Sequence, residues 1–309
     1  MANILTRPDA LALIPPEVAN EVIAGTRKQS VAMQLMTRLP NMGTNVREMP
    51  VLSALPAADF VNGDLGMKIT TNAQWNKLQL TVGEIAAIVP IPEAVLDDSD
   101  YDLWAQISPL IVEKIGRVID RQVFMGGNPK APSTWVQGII PTAITKGNNV
   151  ALGTGVDALE DINQLFTKLE TTGYDVSAIA ANPVFRTTLR GLRASDGQFI
   201  YSTPTMDTPG TIYGIPTSFT APGTWDAMGA LAIAGDWSKA VYAMRQDITV
   251  KRFDSGVISN DDGTIAYNLI QQDMIAIRVV MRFAWQIVNP IDIDRQGGTP
   301  FPFAVLTPT

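Results

Sequence analysis

The 309-residue chain contains no cysteine and no histidine. The first absence excludes disulfides, thiolate chemistry and Cys/His zinc sites; the second removes every catalytic arrangement that uses imidazole as its base. Charge is scarce as well. Asp, Glu, Lys and Arg make up 17% of the residues, against about 25% in ordinary globular domains. The signs are unequal, 23 basic against 30 acidic for a net charge of −7, so the chain lacks the basic footprint of a protein that grips nucleic acid through phosphates. No apolar run approaches the ~20 residues of a membrane span; the longest, 274–288, is broken by Arg278 and Arg282. Residues 1–16 lack the roughly 7–15-residue apolar core of a secretory signal. The expectation is a soluble protein, made in the cytoplasm, with no membrane partner. What the chain does have is apolar surface: 46% of its residues are hydrophobic. A chain so apolar, with so little charge to cover its exterior, points to subunits that bury surface against one another.

Residues 1–15, with Pro8 and Pro15, read as an extended arm, and Pro16 suits the first position of a helix carrying Val18, Val22 and Ile23. Val31, Leu35 and Leu39 continue an apolar stripe after Gly25, with Pro40 as its stop. Residues 44–51 read as extended. Leu78, Leu80 and Val82 alternate with Lys77, Gln79 and Thr81 in the period of a half-buried strand. Between these two strands lies an irregular stretch containing Pro56, Asn62-Gly63-Asp64 and Gly66, so the pair forms a long hairpin. An excursion of that length inside a domain is functional or is held by a partner.

Leu103, Ile107, Ile111, Ile115, Val118 and Ile119 then recur at steps of three and four up to Phe124, predicting a long helix that Gly126-Gly127-Asn128-Pro129 ends. Pro109 either kinks it or opens a second helix capped by Ser108. Residues 128–155 read as a linker or surface loop. A helix over 157–172, a short buried strand over 177–181 and a helix over 183–192 follow, and the chain beyond Thr211 is mostly strands, ending in a β-rich run over 265–288 and a proline-punctuated tail.

Motifs that suggest chemistry have plainer readings. Asp98-x-Asp100-x-Asp102 opens like an EF-hand loop, but Leu103 and Pro109 stand where that loop needs Gly and Glu; helix capping accounts for the cluster. Asp254-Ser255-Gly256 resembles an aspartic-protease turn, yet no second copy occurs. No Gly-x-Ser-x-Gly elbow is present. Gly153-Thr154-Gly155 precedes a helix without any dinucleotide or Walker fingerprint around it, and reads as loop glycines. Arg278 and Arg282 suit a structural ion pair or an intersubunit contact better than a phosphate site. The six Trp are scattered singly, as core or interface anchors are. Neither a catalytic site nor a cofactor or metal site emerges.

The order of local strings resembles a known family. Ile14-Pro15-Pro16-Glu17 through Ser30-Val31, Ile88-Val89-Pro90-Ile91-Pro92-Glu93 with Leu96 and Asp97-Asp98, Phe124-Met125-Gly126 and Gly138-Ile139 follow one another as in the major capsid proteins of tailed bacteriophages, the Hong Kong 97 fold. Ala181-Asn182-Pro183 with Leu189, Leu192 and Asp196-Gly197-Gln198, then Gly210 to Pro216, Gly235-Asp236-Trp237-Ser238, and Arg278, Arg282 and Asn289-Pro290 continue the match to the end. The resemblance implies an α+β fold. Its parts would be an N-terminal arm and helix (1–43), an extended hairpin or E-loop (44–85), a peripheral domain with a spine helix (86–152), an axial domain (153–264), and the return strands of the peripheral domain with the C-terminal tail (265–309).

It also implies a function: the structural subunit of an icosahedral head, assembled into pentamers and hexamers around packaged double-stranded DNA. No sequence-specific DNA contact is expected. The partners implied are further copies of the chain, a portal, a separate scaffold protein and decoration proteins, and the location is the virion. Expected intersubunit contacts are Lys68, Trp75 and Lys77 in the hairpin, Asp100, Glu113 and Arg117 on the spine helix, and Asp254 and Asp261 beside the last strands. Some family members crosslink a hairpin Lys to an Asn with a Glu as catalyst. Here those two positions fall on Asp273 and Val280, so no isopeptide bond is expected. Only about a dozen residues precede the arm helix, which suggests that no long scaffolding segment is fused to the chain. The rival readings are an encapsulin-like nanocompartment, which shares the fold, and more remotely a Ser or Asp hydrolase.

Overall fold

A computed structural model describes residues 30–54, 74–94, 103–135, 137–192, 210–226, 229–260, 262–288 and 301–308. The arm, the helix expected from Pro16, the acidic cluster 97–102, Lys68, Asp100 and Asp261 lie outside these residues, as do the side chains of Trp75 and Trp104.

Helix α1 (Val31–Leu35) is shorter than its apolar stripe implies. Met36 is already extended, and strand β1 (Thr37–Arg38) pairs in parallel with β10 (Ala240–Phe253). Leu39 is therefore held beside β10, donating its amide to the Tyr242 carbonyl with its side chain half-buried, and Pro40 ends no helix. Strands β2 (Val46–Ala54) and β3 (Gln74–Thr81) form the expected antiparallel ribbon, from Val46 opposite Thr81 to Ala54 opposite Gln74. The chain then runs almost directly into β4 (Gly83–Pro92), which pairs along its whole length with β13 (Met274–Ile287).

Helix α2 (Leu103–Phe124) is continuous, with Pro109 inside it, so Ser108 caps no second helix. Pro109 lies on the exposed side, where an altered turn disturbs no packing. The helix ends at Gly126 and Gly127, both at positive φ. A Cβ on Gly126 would fall within bonding distance of the Gln137 carbonyl, so only glycine fits this crossing.

The stretch 128–155, expected as loop, contains helix α3 (Ile139–Thr145) and strand β5 (Asn149–Ala151). Its Thr, Asn and Gly content masks the buried side of α3, formed by Ile139, Ile140 and Ala143. Helix α4 (Ala158–Glu170) is capped by Asp157, which accepts from the Leu159 and Glu160 amides. Strand β6 (Ala178–Ala181) and helix α5 (Phe185–Gly191) follow as expected. Then come β7 (Gly210–Ile212), β8 (Ile215–Phe219), β9 (Ala232–Gly235), a 3₁₀ turn over Trp237–Lys239, and β10. The ribbon β11 (Val257–Ser259) and β12 (Ile265–Asn268) precedes β13, and the tail carries a further strand, β14 (Phe303–Thr307).

Two sheets organise these elements. One has the order β1-β10-β13-β4, the other β5-β14-β9-β6-β8-β7. Their membership crosses the segments expected from the sequence. β10 comes from the 153–264 segment yet pairs with β13, and β14 comes from the 265–309 segment yet sits between β5 and β9. The larger hydrophobic cluster joins the inner face of the four-stranded sheet (Val279, Met281, Phe283, Trp285) to α1, α2, α3 and one face of the six-stranded sheet. A second cluster packs α4 and α5 on that sheet's other face.

Candidate assembly surfaces

The ribbon β2–β3 is fastened at its root. The Trp135 indole N–H donates to the Thr81 carbonyl at 2.7 Å, and its ring lies so close to Gly83 that a Cβ there would stand 2.8 Å from it. Met42, Leu80, Val241, Ala243 and Ala284 form a small buried cluster beneath the same root. Farther out, Lys77 bridges to Glu48 at 2.9 Å. That contact holds the Glu48 carboxyl below its ordinary value, but both side chains are exposed, and such a pair adds little to stability. The ribbon is thus braced where it leaves the body and carries an exposed ion pair farther along.

On α2, Glu113 and Arg117 pair with each other across one helical turn. Leu110 and Lys114 stand exposed on the same helix. The fully buried side of α2 carries a residue that sequence reading passed over. Asp120 accepts hydrogen bonds from the Ser30 hydroxyl (2.6 Å), the Val31 amide (3.1 Å) and the Ala32 amide (3.0 Å). It therefore caps α1 from another element. Burial pushes its carboxyl up to about 6, against the downward pull of these hydrogen bonds. The signal was an acid inside the apolar stripe of α2, next to Ile119 and one turn before Val123 and Phe124.

The remaining motifs take plain roles. The Gly153 and Gly155 amides, which might have cradled a phosphate, donate instead to the Asp161 carboxylate at 2.7 and 2.6 Å. Asp254 is exposed in the turn after β10, and among the described residues its carboxylate accepts from the neighbouring Ser255 hydroxyl alone, at 3.1 Å. Arg282 pairs with Glu84 across the β13–β4 ladder at 3.1 Å, the structural ion pair expected of it. Arg278 lays its guanidinium over the Phe253 ring, 4.8 Å from the centroid. Trp225, Trp237 and Trp285 are buried anchors, and Trp237 packs edge-to-face on Phe303 and Phe124. Asp273 occupies a left-handed turn position and Val280 lies half-buried on β13. Among the described residues no cluster of three metal-binding side chains occurs, and no helix is long and apolar enough to cross a membrane.

What this geometry offers is surfaces: a braced ribbon, a partly exposed long helix and a sheet with an open face. Comparison with known proteins points the same way. Residues 11–293 match the model of the phage capsid family. The major capsid protein of Staphylococcus phage 80alpha is 25% identical over 296 residues, covering 93% of this chain and 85% of that one. A solved structure from Microbacterium phage Oxtober96 superposes with a TM-score of 0.78 at 33% identity, over 99% of this chain and all of the other. One from Mycobacterium phage Bobi gives 0.76 at 30%, over 99% of both chains. The chain belongs to the phage capsid family. It is a structural protein of the bacteriophage capsid, as its homologues are, and not an enzyme.

Proposed function

We propose that this chain is the major subunit of an icosahedral phage head, assembled into pentamers and hexamers that enclose double-stranded DNA. The observation that carries the reading is the whole-chain likeness to phage structures, combined with a long ribbon whose strands pair with no other strand among the described residues. In this reading the ribbon is the extended loop of the Hong Kong 97 fold, reaching over a neighbour with Lys68, Trp75 and Lys77. Helix α2 is the spine, with Asp100, Glu113 and Arg117 at its contacts. Asp254 and Asp261 serve contacts beside the last strands. Residues 1–43 form the arm and its helix, 86–152 and 265–309 the peripheral domain, and 153–264 the axial domain.

Each contact is weak alone, and ring closure multiplies them. A net negative chain also releases packaged DNA readily, since it supplies few phosphate contacts. The same reading makes portal, separate scaffold and decoration proteins the further partners, and host cytoplasm the place of synthesis.

Electron microscopy of the expressed protein, alone and with the adjacent genes of its genome, tests this. Closed shells or capsomer rings are expected. Compact monomers under both conditions would overturn it.

A further inference from the structure

The outward face of the four-stranded sheet is covered at one end only. Ala284 of β13 and Val241 and Ala243 of β10 lie under the hairpin root. Six residues along β13 from Ala284, the face is open. There Lys251 of β10 stands directly opposite Arg278 of β13, and Arg278 directly opposite Ile88 of β4. Two cations facing each other across a ladder destabilise it unless an anion joins them. Among the described residues no carboxylate forms an ion pair with Lys251, Arg252 or Arg278; nearby Glu84 is taken by Arg282. The Arg278 Nε is buried without a hydrogen-bond partner. Ile88, in the same row, is 49% exposed. The patch is basic with an apolar edge.

The ribbon β11–β12 has the opposite character. From Asp254 to Ile277 the chain contains Asp254, Asp261, Asp262 and Asp273 and no Lys or Arg. The pairing of Ser259 with Ile265 puts Ile265 on the same face as Val257, and these two side chains are 66% and 53% exposed. Asp262 is fixed in the connecting turn by bonds from the Thr264 amide and hydroxyl. The ribbon is acidic with an apolar face, and no other described element pairs with either of its strands.

We infer that the β11–β12 ribbon of one copy docks on the open sheet face of another, with its carboxylates against Lys251 and Arg278 and its Val257–Ile265 face against Ile88. The occupant is a second copy because this chain itself carries both complementary halves. A contact between two different patches is head-to-tail, and such contacts close into rings when the rotation allows. Burying the apolar edges supplies the non-directional part of the binding; the charges set register and exclude wrong partners. The inference rests on the assembly reading above.

The absence of cysteine makes the test clean. Ile88→Cys and Ile265→Cys are made as separate chains, mixed, assembled and oxidised. A disulfide dimer is expected in the mixture and in neither variant alone. Lys251→Glu is expected to lower shell yield at least tenfold, with recovery in the double variant Lys251→Glu/Asp254→Lys. A merely structural role for either residue gives additive losses instead. Both are exposed, and thermal melting confirms that each variant folds. Wild-type shells without the mixed disulfide, or with full assembly of Lys251→Glu, overturn this contact and leave the assembly reading standing. Wild-type chains that never assemble overturn both.

Discussion

The two sheets of this molecule use the same residue types to opposite ends. In the six-stranded sheet β6, β9 and β14 are buried on both faces: every residue of β6 and β9 is inaccessible, and so are four of the five in β14. Their Ala, Ile, Val and Leu runs leave no alternation because neither face meets water. In the four-stranded sheet, β13 alternates between half-buried and buried from Arg278 to Phe283 and is buried at every position only from Phe283 on, where the hairpin root lies on it. The first sheet is complete within one chain. The second stops being covered partway along, and that is where an exposed isoleucine and cations that have no carboxylate partner among the described residues collect. Both sheets feed the main core, and in the proposed assembly it is the second that supplies contact surface.

Mutation can break this division from either side. The largest effect is expected at Phe303→Ala. Phe303 is fully buried and packs edge-to-face on Trp237 at 4.9 Å, so its loss costs about 3–5 kcal/mol. Calorimetry of the unassembled subunit should show a melting temperature lowered by several degrees or more. Next comes Asp120. Its folded-state value of about 6 lies above the ordinary 3.8, so the folded chain holds this proton more tightly than the unfolded one. The associated stability, about 3 kcal/mol, is fully present below about pH 4 and is lost as pH rises through about 6. Melting curves from pH 4 to 7 should show that decline in the wild type and a flatter profile in Asp120→Asn.

Trp135→Phe removes one hydrogen bond to Thr81, worth about 1 kcal/mol. Amide exchange should quicken at the β3–β4 junction and stay unchanged in the six-stranded sheet; acceleration in both would mean that the two sheets open as one unit. Lys77→Ala is expected to leave the melting temperature unchanged, since Lys77 and Glu48 are both exposed. Finally, denaturing gels of assembled particles should show one band near 33.4 kDa, because the crosslink positions hold Asp273 and Val280; a covalent ladder would contradict that alignment.

Periodicity made some elements legible and hid others. α2 and α4 announced themselves because each exposes one side, leaving a clear 3.6-residue stripe. α3 did not, since a seven-residue helix with Pro141 and two threonines has too few turns to show a period. The stripe Val31–Leu35–Leu39 was apolar for two different reasons, a short helix and then a paired strand, and one-dimensional spacing merges them. Lys77, Glu113, Arg117 and Asp254 were visible in the sequence as charges. The patch at Lys251, Arg278 and Ile88 was not, because its members come from three strands up to 190 positions apart and only the ladder brings them together.

The sequence by itself determined composition-level facts: no imidazole or thiol chemistry, too little charge to cover a surface this apolar, and an ordered series of strings that marks the family. Tertiary structure decided which surfaces remain open. Whether an apolar or charged side chain is covered depends on which strand lies beside it, and β10 and β14 each join a sheet that their place in the chain does not announce. Burial is a property of long-range pairing, and pairing is set by the packing of the whole core rather than by local propensity.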